Sequence, residues 1–214
     1  MEKEDVRNKW EIINDYLLMC GSKHELYPFG ITIVQELRNI IDFDNALVYY
    51  LDGNRKVYTQ YCWNMAERWA NVYREYYTRQ GLGLYDVTSG ESGEKEGKPY
   101  VLQINWKKVI NPDLKEFVDD YIRPQGIVST LSFPLSDTEA VPRTVFSLGR
   151  TRSREFEEKD MEFLRTVTPH LNNLHKNFFA MHNMKEDTNY SVIYVLVFLV
   201  IINRIHYNIY KIQR

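Results

Sequence analysis

The sequence predicts an α+β domain in which an antiparallel sheet carries helices on its faces. Apolar residues recur at spacings of three and four near both ends of the chain, which is typical of amphipathic helices. Between them lie two pairs of runs rich in β-branched and aromatic residues, which favours two hairpins. The order of the segments lacks the strand–helix–strand repeat of a parallel sheet.

The chain begins with two predicted helices. The first covers residues 5–20 and ends at Gly21 and Ser22, because its apolar side chains share one face and glycine ends helices readily. The second follows Pro28 and carries an apolar stripe that extends to Ile41.

The first hairpin comes next. Residues 45–51 and 56–63 are strand-like, and Asp52-Gly53-Asn54 between them is a strong turn signal. Helical spacing returns over residues 65–80, and the glycine-rich, charged stretch 81–97 predicts a mobile, solvated loop. Four aromatic side chains are expected on one side of the 65–80 helix: Trp69, Tyr73, Tyr76 and Tyr77.

A short strand over residues 100–104 and a helix over residues 112–120 are predicted in the middle of the chain. Asn111 precedes Pro112 and is placed to cap that helix. The segment 123–126, Arg-Pro-Gln-Gly, predicts a turn.

The second hairpin pairs residues 127–135 with residues 143–150 through the polar stretch 136–139. A long helix over residues 157–182 follows, and Pro169 is expected to kink it.

Charge and cysteine usage exclude several classes of protein. The formal net charge is −2, so no basic face for nucleic acid is expected. The charged N-terminal residues do not form a signal peptide, and two distant cysteines, Cys20 and Cys62, do not form a disulfide framework. We expect a cytoplasmic protein with reduced thiols.

No catalytic or metal-binding pattern is present. His170 and His175 are five residues apart and do not share a helix face, and no cysteine lies near any histidine in the sequence. Nucleophile elbows and phosphate-binding glycine loops are also missing. We therefore expect neither an enzyme nor a metal or other cofactor.

The high aromatic content, 14%, points to the 65–80 helix. In one interpretation its aromatic stripe packs on the sheet as ordinary core. In the other, the stripe is the wall of a pocket between helix and sheet, with tyrosine hydroxyls selecting a polar ligand. Residues on later elements would converge there, and the ligand-binding candidates are Trp69, Tyr73, Tyr77, Trp106 and Tyr121.

Six segments in the second half of the chain form a recognisable series. They are Asn105-Trp106, Lys115-Glu-Phe117, Asp120-Tyr-Ile-Arg-Pro-Gln-Gly126, Phe146-Ser-Leu-Gly-Arg150, Arg154-Glu-Phe156 and Thr168-Pro-His-Leu171-Asn-Asn-Leu174. The series resembles the GAF-like N-terminal sensor domain of LuxR-type bacterial transcriptional regulators. The resemblance covers roughly residues 5–182.

This resemblance implies a GAF/PAS-like fold, with an antiparallel sheet of five or six strands flanked by helices on both faces. It also implies a homodimer formed through terminal helices, a small-molecule ligand of unknown identity, and DNA as the final target of the regulator. The chain departs from the family in two places. Glu157 stands where a Ser or Thr commonly caps the last helix, and the residues after Lys185 lack the features of a helix-turn-helix. We therefore expect no direct nucleic-acid binding by this chain.

The sensor domain is predicted to span residues 1–184, followed by a hydrophobic tail, residues 185–214. The apolar run Val192–Ile202 has eleven residues, whereas a membrane span needs ~20, which disfavours membrane insertion. Three interpretations stay open: a membrane anchor, an element added to the core or dimer interface, and an out-of-frame end. The many Ile, Asn, Tyr and Lys residues of the tail favour the third.

The predicted function is that of a ligand-sensing, dimerising regulatory domain of a LuxR-type regulator. A small molecule would bind between the sheet and helix 65–80, beneath the loop 81–97, and the last helix would carry the signal. Two alternatives remain: an interaction module with a filled core that binds no ligand, and a membrane-tethered signalling protein.

Overall fold

A computed structural model describes residues 2–80, 100–151 and 155–186 of the chain. Within these ranges, no helix is long and apolar enough to cross a membrane.

The contacts divide the chain into two units, residues 1–176 and residues 177–214. In the second unit, the described residues 177–186 are helical. The predicted loop 81–97 and nearly all of the predicted tail 185–214 lie outside the described residues, so both stay predictions.

Five antiparallel strands form one sheet in the described part of the chain. They are β1 (Asn45–Leu51), β2 (Val57–Trp63), β3 (Leu102–Asn105), β4 (Ser129–Ser136) and β5 (Pro142–Arg150). Their order across the sheet is β2-β1-β5-β4-β3, so β2 and β3 are the edge strands. The predicted fold class is confirmed, with the lower of the two strand numbers.

Aspartate side chains organise both hairpin turns. Asp52 accepts hydrogen bonds from the backbone N–H groups of Asn54 (2.8 Å) and Lys56 (2.9 Å) between β1 and β2. Asp137 accepts one from the N–H of Val141 (3.0 Å) between β4 and β5. Both predicted hairpins therefore exist and are held by short polar side chains in their turns.

Four α-helices accompany the sheet in the described ranges: α1 (Glu2–Gly21), α2 (Leu26–Leu37), α3 (Glu67–Glu75) and α4 (Glu158–Glu186). A 3₁₀ turn, Tyr77–Gln80, follows α3. Residues 112–125, between β3 and β4, form a mixed helix with 3₁₀ turns at its ends and a π-helical turn, Phe117–Ile122, in its middle.

Two element predictions need correction at their ends. The second helix begins at Leu26, before Pro28, because the N–H groups of a first helical turn need no intrahelical partner and proline is tolerated there. The helix predicted over residues 112–120 continues to 125. Its predicted cap is confirmed, since the Asn111 side chain accepts a hydrogen bond from the N–H of Asp113 at 3.0 Å.

The first face of the sheet carries α2 and α4. The Tyr50 hydroxyl of β1 donates to the backbone carbonyl of Tyr27 in α2 at 3.2 Å. His175 of α4 is buried against Thr144 of β5 at 2.9 Å. Because Tyr50 and Thr144 are paired across β1 and β5, their side chains project from the same face.

Helix α1 packs on the same side of the domain. Its Tyr16 makes an edge-on ring contact with Phe163 of α4, with centroids 5.5 Å apart. Its Cys20 is fully buried. The domain therefore has three helices on the first face.

Arg150, at the end of β5, fixes the start of α4. Its guanidinium donates to the backbone carbonyls of Asp42 and Glu155, each at 2.6 Å, and pairs with Asp160 at 3.0 Å. It also lies 4.1 Å from the ring centroid of Phe156. Arg150 and Phe156 belong to two of the segments on which the family resemblance depends, so the buried contacts of Arg150 join these two segments.

Asp160 also explains the unusual residue before α4. Its carboxylate accepts a hydrogen bond from the N–H of Glu157 at 2.9 Å, which is the returning half of a capping box. The helix therefore begins well without a Ser or Thr at position 157.

Candidate ligand-binding site

The second face of the sheet carries α3 and the mixed helix. Leu47, Tyr49 and Leu51 of β1 point to this face, since side chains alternate along a strand and Tyr50 points to the other. All five predicted ligand-binding residues lie here in one cluster. Tyr73, Tyr77, Trp106 and Tyr121 are buried, and Trp69 is partly buried.

The Tyr121 ring is at the centre of this group. Its centroid lies 5.8 Å from that of Trp69, 5.7 Å from that of Tyr73 and 5.2 Å from that of Tyr77. Such distances are those of favourable edge-on and tilted aromatic pairs. The structure therefore brings together residues that are 44 to 52 positions apart in the chain.

Two further aromatic residues belong to the site and were not predicted. Phe117 stacks on Tyr121 with centroids 5.1 Å apart and contacts Trp106 at 5.6 Å. Tyr49 contacts Tyr73 at 5.3 Å. The available signals were the four-residue spacing of Phe117 and Tyr121 on a helix and the strand alternation of β1. We refer to Trp69, Tyr73, Tyr77, Trp106, Tyr121, Phe117 and Tyr49 as the aromatic cluster.

The π-helical turn of the mixed helix supplies Phe117 and Tyr121. Single π turns interrupt helices rarely and often at functional sites. Here the turn coincides with the part of the helix that faces the aromatic cluster.

Tyr76 does not belong to the aromatic cluster, so the prediction of four aromatic side chains on one side of the helix was wrong for this residue. Tyr76 is exposed, and its hydroxyl donates to Glu116 at 2.8 Å. The reason is local: α3 ends at Glu75 and a 3₁₀ turn begins at Tyr77, which directs Tyr77 inward instead.

The polar atoms of the aromatic cluster differ in how they are satisfied. The Trp106 indole N–H donates to the hydroxyl of Thr130 at 2.7 Å. The buried Tyr121 hydroxyl makes no hydrogen bond of normal geometry to a described residue. Burial raises the pKa of the Tyr121 hydroxyl well above its ordinary value, although the Gln125 side chain lies close enough to oppose this rise, so the hydroxyl stays protonated at physiological pH.

An amide pair lies beside the cluster on edge strand β2. Gln60 is paired with Tyr49 across β2 and β1, so it faces the same side. Its Nε2 donates to Asn71 of α3 at 3.1 Å. Its Oε1 is buried and has no hydrogen-bond partner among the described residues.

Charged groups lie at the rim of the cluster. The buried residues that form it are all uncharged. Arg68, which is exposed, lies over Trp69 at 5.1 Å from the ring centroid. Burial, followed by the nearby carboxylates of Glu116 and Asp120, raises the pKa of Tyr77.

The described residues contain no group of three or more His, Cys, Asp or Glu side chains that could hold a metal ion. His170 is exposed and His175 is buried, as their five-residue separation predicts.

A five-stranded antiparallel sheet with helices on both faces and an aromatic cluster beneath one helical layer defines an α+β domain. The model of the GAF domain family matches residues 31–173. The chain belongs to the GAF domain family. The predicted resemblance to a GAF domain is therefore confirmed.

Solved structures show the same fold at low identity. The GAF domain of a phosphoenolpyruvate-protein phosphotransferase from Coxiella burnetii is 14% identical with a TM-score of 0.57, covering 83% of this chain and 98% of that one. The phycoerythrobilin-bound GAF domain of a cyanobacterial phytochrome is 12% identical with a TM-score of 0.54, covering 81% and 97%.

The N-acylhomoserine lactone dependent LuxR family transcription factor CepR2 from Burkholderia cenocepacia is also similar. It is 15% identical with a TM-score of 0.55, and the match covers 78% of this chain and 93% of that one. At this identity the likeness concerns the fold alone. No curated protein sequence matches the chain significantly.

Proposed function

We propose that this chain is the ligand-sensing regulatory domain of a cytoplasmic LuxR-type regulator, without catalytic activity of its own. It binds a small molecule within the aromatic cluster, between the sheet and α3. The series of six segments between residues 105 and 174 supports the LuxR assignment, and the likeness in fold to CepR2 is consistent with it.

The observation that carries the proposal is the Tyr121 hydroxyl. A buried polar group without a hydrogen-bond partner costs about 1–3 kcal/mol. Tyr121 is 2% exposed, and its hydroxyl makes no hydrogen bond of normal geometry to a described residue. A ligand that offers an acceptor removes this cost, which favours binding at this position over packing alone.

Strand β5 offers a path from the site to α4. Val145 of β5 belongs to the core around the aromatic cluster. Its neighbour Thr144 faces the opposite side and contacts His175 of α4 at 2.9 Å. A shift of β5 on ligand binding would therefore displace α4 through the contact between Thr144 and His175. The displaced α4 would in turn change how the two subunits of a dimer are arranged.

Apolar residues on α1 support a homodimer through terminal helices. Trp10, Leu18 and Met19 are exposed to 57%, 63% and 47%. Exposed large apolar side chains on a terminal helix are candidates for an interface between subunits.

The test is a thermal-shift screen of small metabolites, with native mass spectrometry of each hit. We expect at least one compound to stabilise the chain, because a ligand that binds only the folded state raises its melting temperature. Trp69→Ala is expected to abolish the stabilisation, and Ile110→Ala, at a 92% exposed residue outside both the cluster and α1, is the control. A broad screen without any stabilising compound would contradict the proposal.

One observation favours the alternative of an interaction module with a filled core. The rings of the aromatic cluster contact each other directly, with Tyr77 and Phe117 centroids only 4.9 Å apart. If this alternative holds, Tyr73→Ala costs roughly 3–5 kcal/mol of unfolding free energy, no compound stabilises the chain, and dimerisation persists in sedimentation experiments.

A further inference from the structure

We infer that the ligand of the aromatic cluster is a small uncharged molecule that accepts a hydrogen bond from Tyr121 and donates one to Gln60. This inference rests on the proposed function and adds the chemical class of the ligand. Three observations lead to it: an unpartnered donor, an unpartnered acceptor, and uncharged walls.

The Tyr121 hydroxyl sets the first requirement. It is protonated at physiological pH, and burial separates it from bulk water. A hydroxyl in this state donates best to a carbonyl, ether or other oxygen acceptor. The ligand therefore presents an acceptor toward the mixed helix.

Gln60 sets the second requirement. Its Nε2 donates to Asn71 at 3.1 Å, which leaves the buried Oε1 available as an acceptor. Tyr49, its partner across the strands, contacts Tyr73, and Tyr73 contacts Tyr121. The rings of Tyr49 and Tyr73 thus connect the strand that carries Gln60 with Tyr121, and the ligand presents an N–H or O–H group toward β2.

The uncharged walls set the third requirement. Among the described residues, the buried Arg and Lys side chains are limited to Arg150, which pairs with Asp160 at the start of α4. A carboxylate or phosphate enclosed at the aromatic cluster would therefore lose its hydration without meeting a buried cation. Burial of an unpaired charge is far more costly than burial of a neutral polar group. Arg68 lies outside, over the rim at Trp69, and is exposed.

Apart from its two polar groups, the ligand is apolar and contains a planar group. The lining rings present faces and edges, which bind aromatic or planar groups with offset or edge-on geometry. An amide or a hydroxy-ketone on an aromatic or aliphatic body meets all the requirements, whereas a nucleotide or a dicarboxylate does not.

The test compares two probes of equal shape, indole-3-acetamide and indole-3-acetate, by calorimetry and thermal shift on the full chain. The amide carries a donor and an acceptor without charge, while the carboxylate is charged and has no donor on its polar group. We expect the amide to bind at least about tenfold more tightly than the carboxylate.

Variants of two tyrosines separate the role of the Tyr121 hydroxyl from loss of folding. Tyr121→Phe is expected to keep or raise the melting temperature of the free chain, because it removes an unsatisfied polar atom. It is also expected to weaken amide binding about tenfold. Tyr16→Phe is the matched control, since the Tyr16 hydroxyl is also buried without a hydrogen-bond partner among the described residues but lies on α1, against Phe163 and outside the aromatic cluster, and it should change binding less than about twofold.

The outcomes separate the inference from the proposed function. Carboxylate binding as tight as amide binding, above all if Arg68→Gln abolishes it, would overturn the inference and leave the proposed function intact. Unchanged amide binding by Tyr121→Phe would also overturn it. If neither probe binds, the metabolite screen distinguishes the two proposals. Charged compounds that stabilise the chain overturn this inference alone, whereas uncharged compounds whose binding requires Tyr121 support it. If no compound stabilises the chain, both this inference and the proposed function are overturned.

Discussion

At the scale of single residues, His175 shows how a polar side chain is accommodated between the sheet and α4. Its Nδ1 donates to the backbone carbonyl of Ser136 at 2.9 Å, so its Nε2 accepts from the Thr144 hydroxyl, also at 2.9 Å. The ring is therefore held neutral. Burial lowers the pKa of His175 from 6.5 to about 4, although the Ser136 carbonyl and Asp137 oppose the shift.

The neutral state of His175 makes stability depend on pH. Below pH 6.5 the unfolded chain binds a proton at this residue more readily than the folded chain does. The free energy of unfolding should therefore fall as the pH decreases from 6.5 toward 4, by up to about 1.4 kcal/mol per pH unit. Urea unfolding between pH 7.5 and 4.5 measures the slope. His175→Gln should flatten it, and His170→Gln, at an exposed site, should not; equal slopes in both variants would contradict this account.

Arg150 is the second residue with a disproportionate role. Its side chain and that of Asp160 are each 4% exposed. Arg150→Met would leave the Asp160 carboxylate buried without its partner and should cost roughly 3–5 kcal/mol of unfolding free energy. The matched control is Arg165→Met, which breaks the exposed ion pair between Arg165 and Glu158 within α4. This substitution should lower the free energy of unfolding by less than about 1 kcal/mol. Guanidinium chloride unfolding of both variants checks this; similar losses would show that the buried pair is not special.

At the scale of elements, the close packing of α2 against β1 depends on glycine at position 30, which has no side chain. A Cβ atom at this position would lie 2.2 Å from the Tyr50 hydroxyl oxygen, closer than real contacts allow. The tyrosine cannot withdraw easily, because it is fully buried. The glycine thus lets the helix approach the strand.

Gly30→Ala should therefore destabilise the domain by roughly 1–3 kcal/mol, although alanine favours helices by about 1 kcal/mol over glycine. Tyr50→Phe in the same chain should recover part of the loss. Gly21→Ala, whose Cβ would meet Leu174 at an ordinary 3.6 Å, is the control and should change stability little. Thermal unfolding followed by circular dichroism distinguishes them, and a neutral Gly30→Ala would disprove the close-approach argument.

Elements were predictable from sequence where local chemistry determines them. Strand alternation and the Asp52 turn placed β1 and β2 within one residue of their ends. Tyr76 was misplaced because the end of α3 and the switch to a 3₁₀ turn have no strong local signal. Phe117 was missed because its role depends on the π-helical turn, and on its contact with Trp106 from another element. The Tyr121 candidate came from the pattern, whereas its unpartnered hydroxyl is a tertiary property.

At the scale of the whole molecule, the proposed dimer is open to direct test. Leu18→Lys places a charge on the exposed apolar surface of α1 and should weaken self-association at least tenfold, because burying an unpaired charge in an interface is costly. The free energy of unfolding of the monomer should change by less than about 0.5 kcal/mol. Ile110→Lys is the control, as Ile110 is 92% exposed and lies far along the chain from α1. Sedimentation velocity measures both, and an effect of equal size would argue against an interface on α1.

The sheet order has a consequence for biosynthesis. Strand β1 lies between β2 and β5, so one of its two edges finds its partner only after residue 150 has been made. At ribosomal speeds of about 5–20 residues per second, that edge waits roughly 5–20 s. All seven residues of β1 are buried in the finished fold, so the waiting strand is an apolar template for pairing with other chains. Nascent chains stalled before β5 should therefore aggregate or recruit chaperones, while chains stalled after α4 should not.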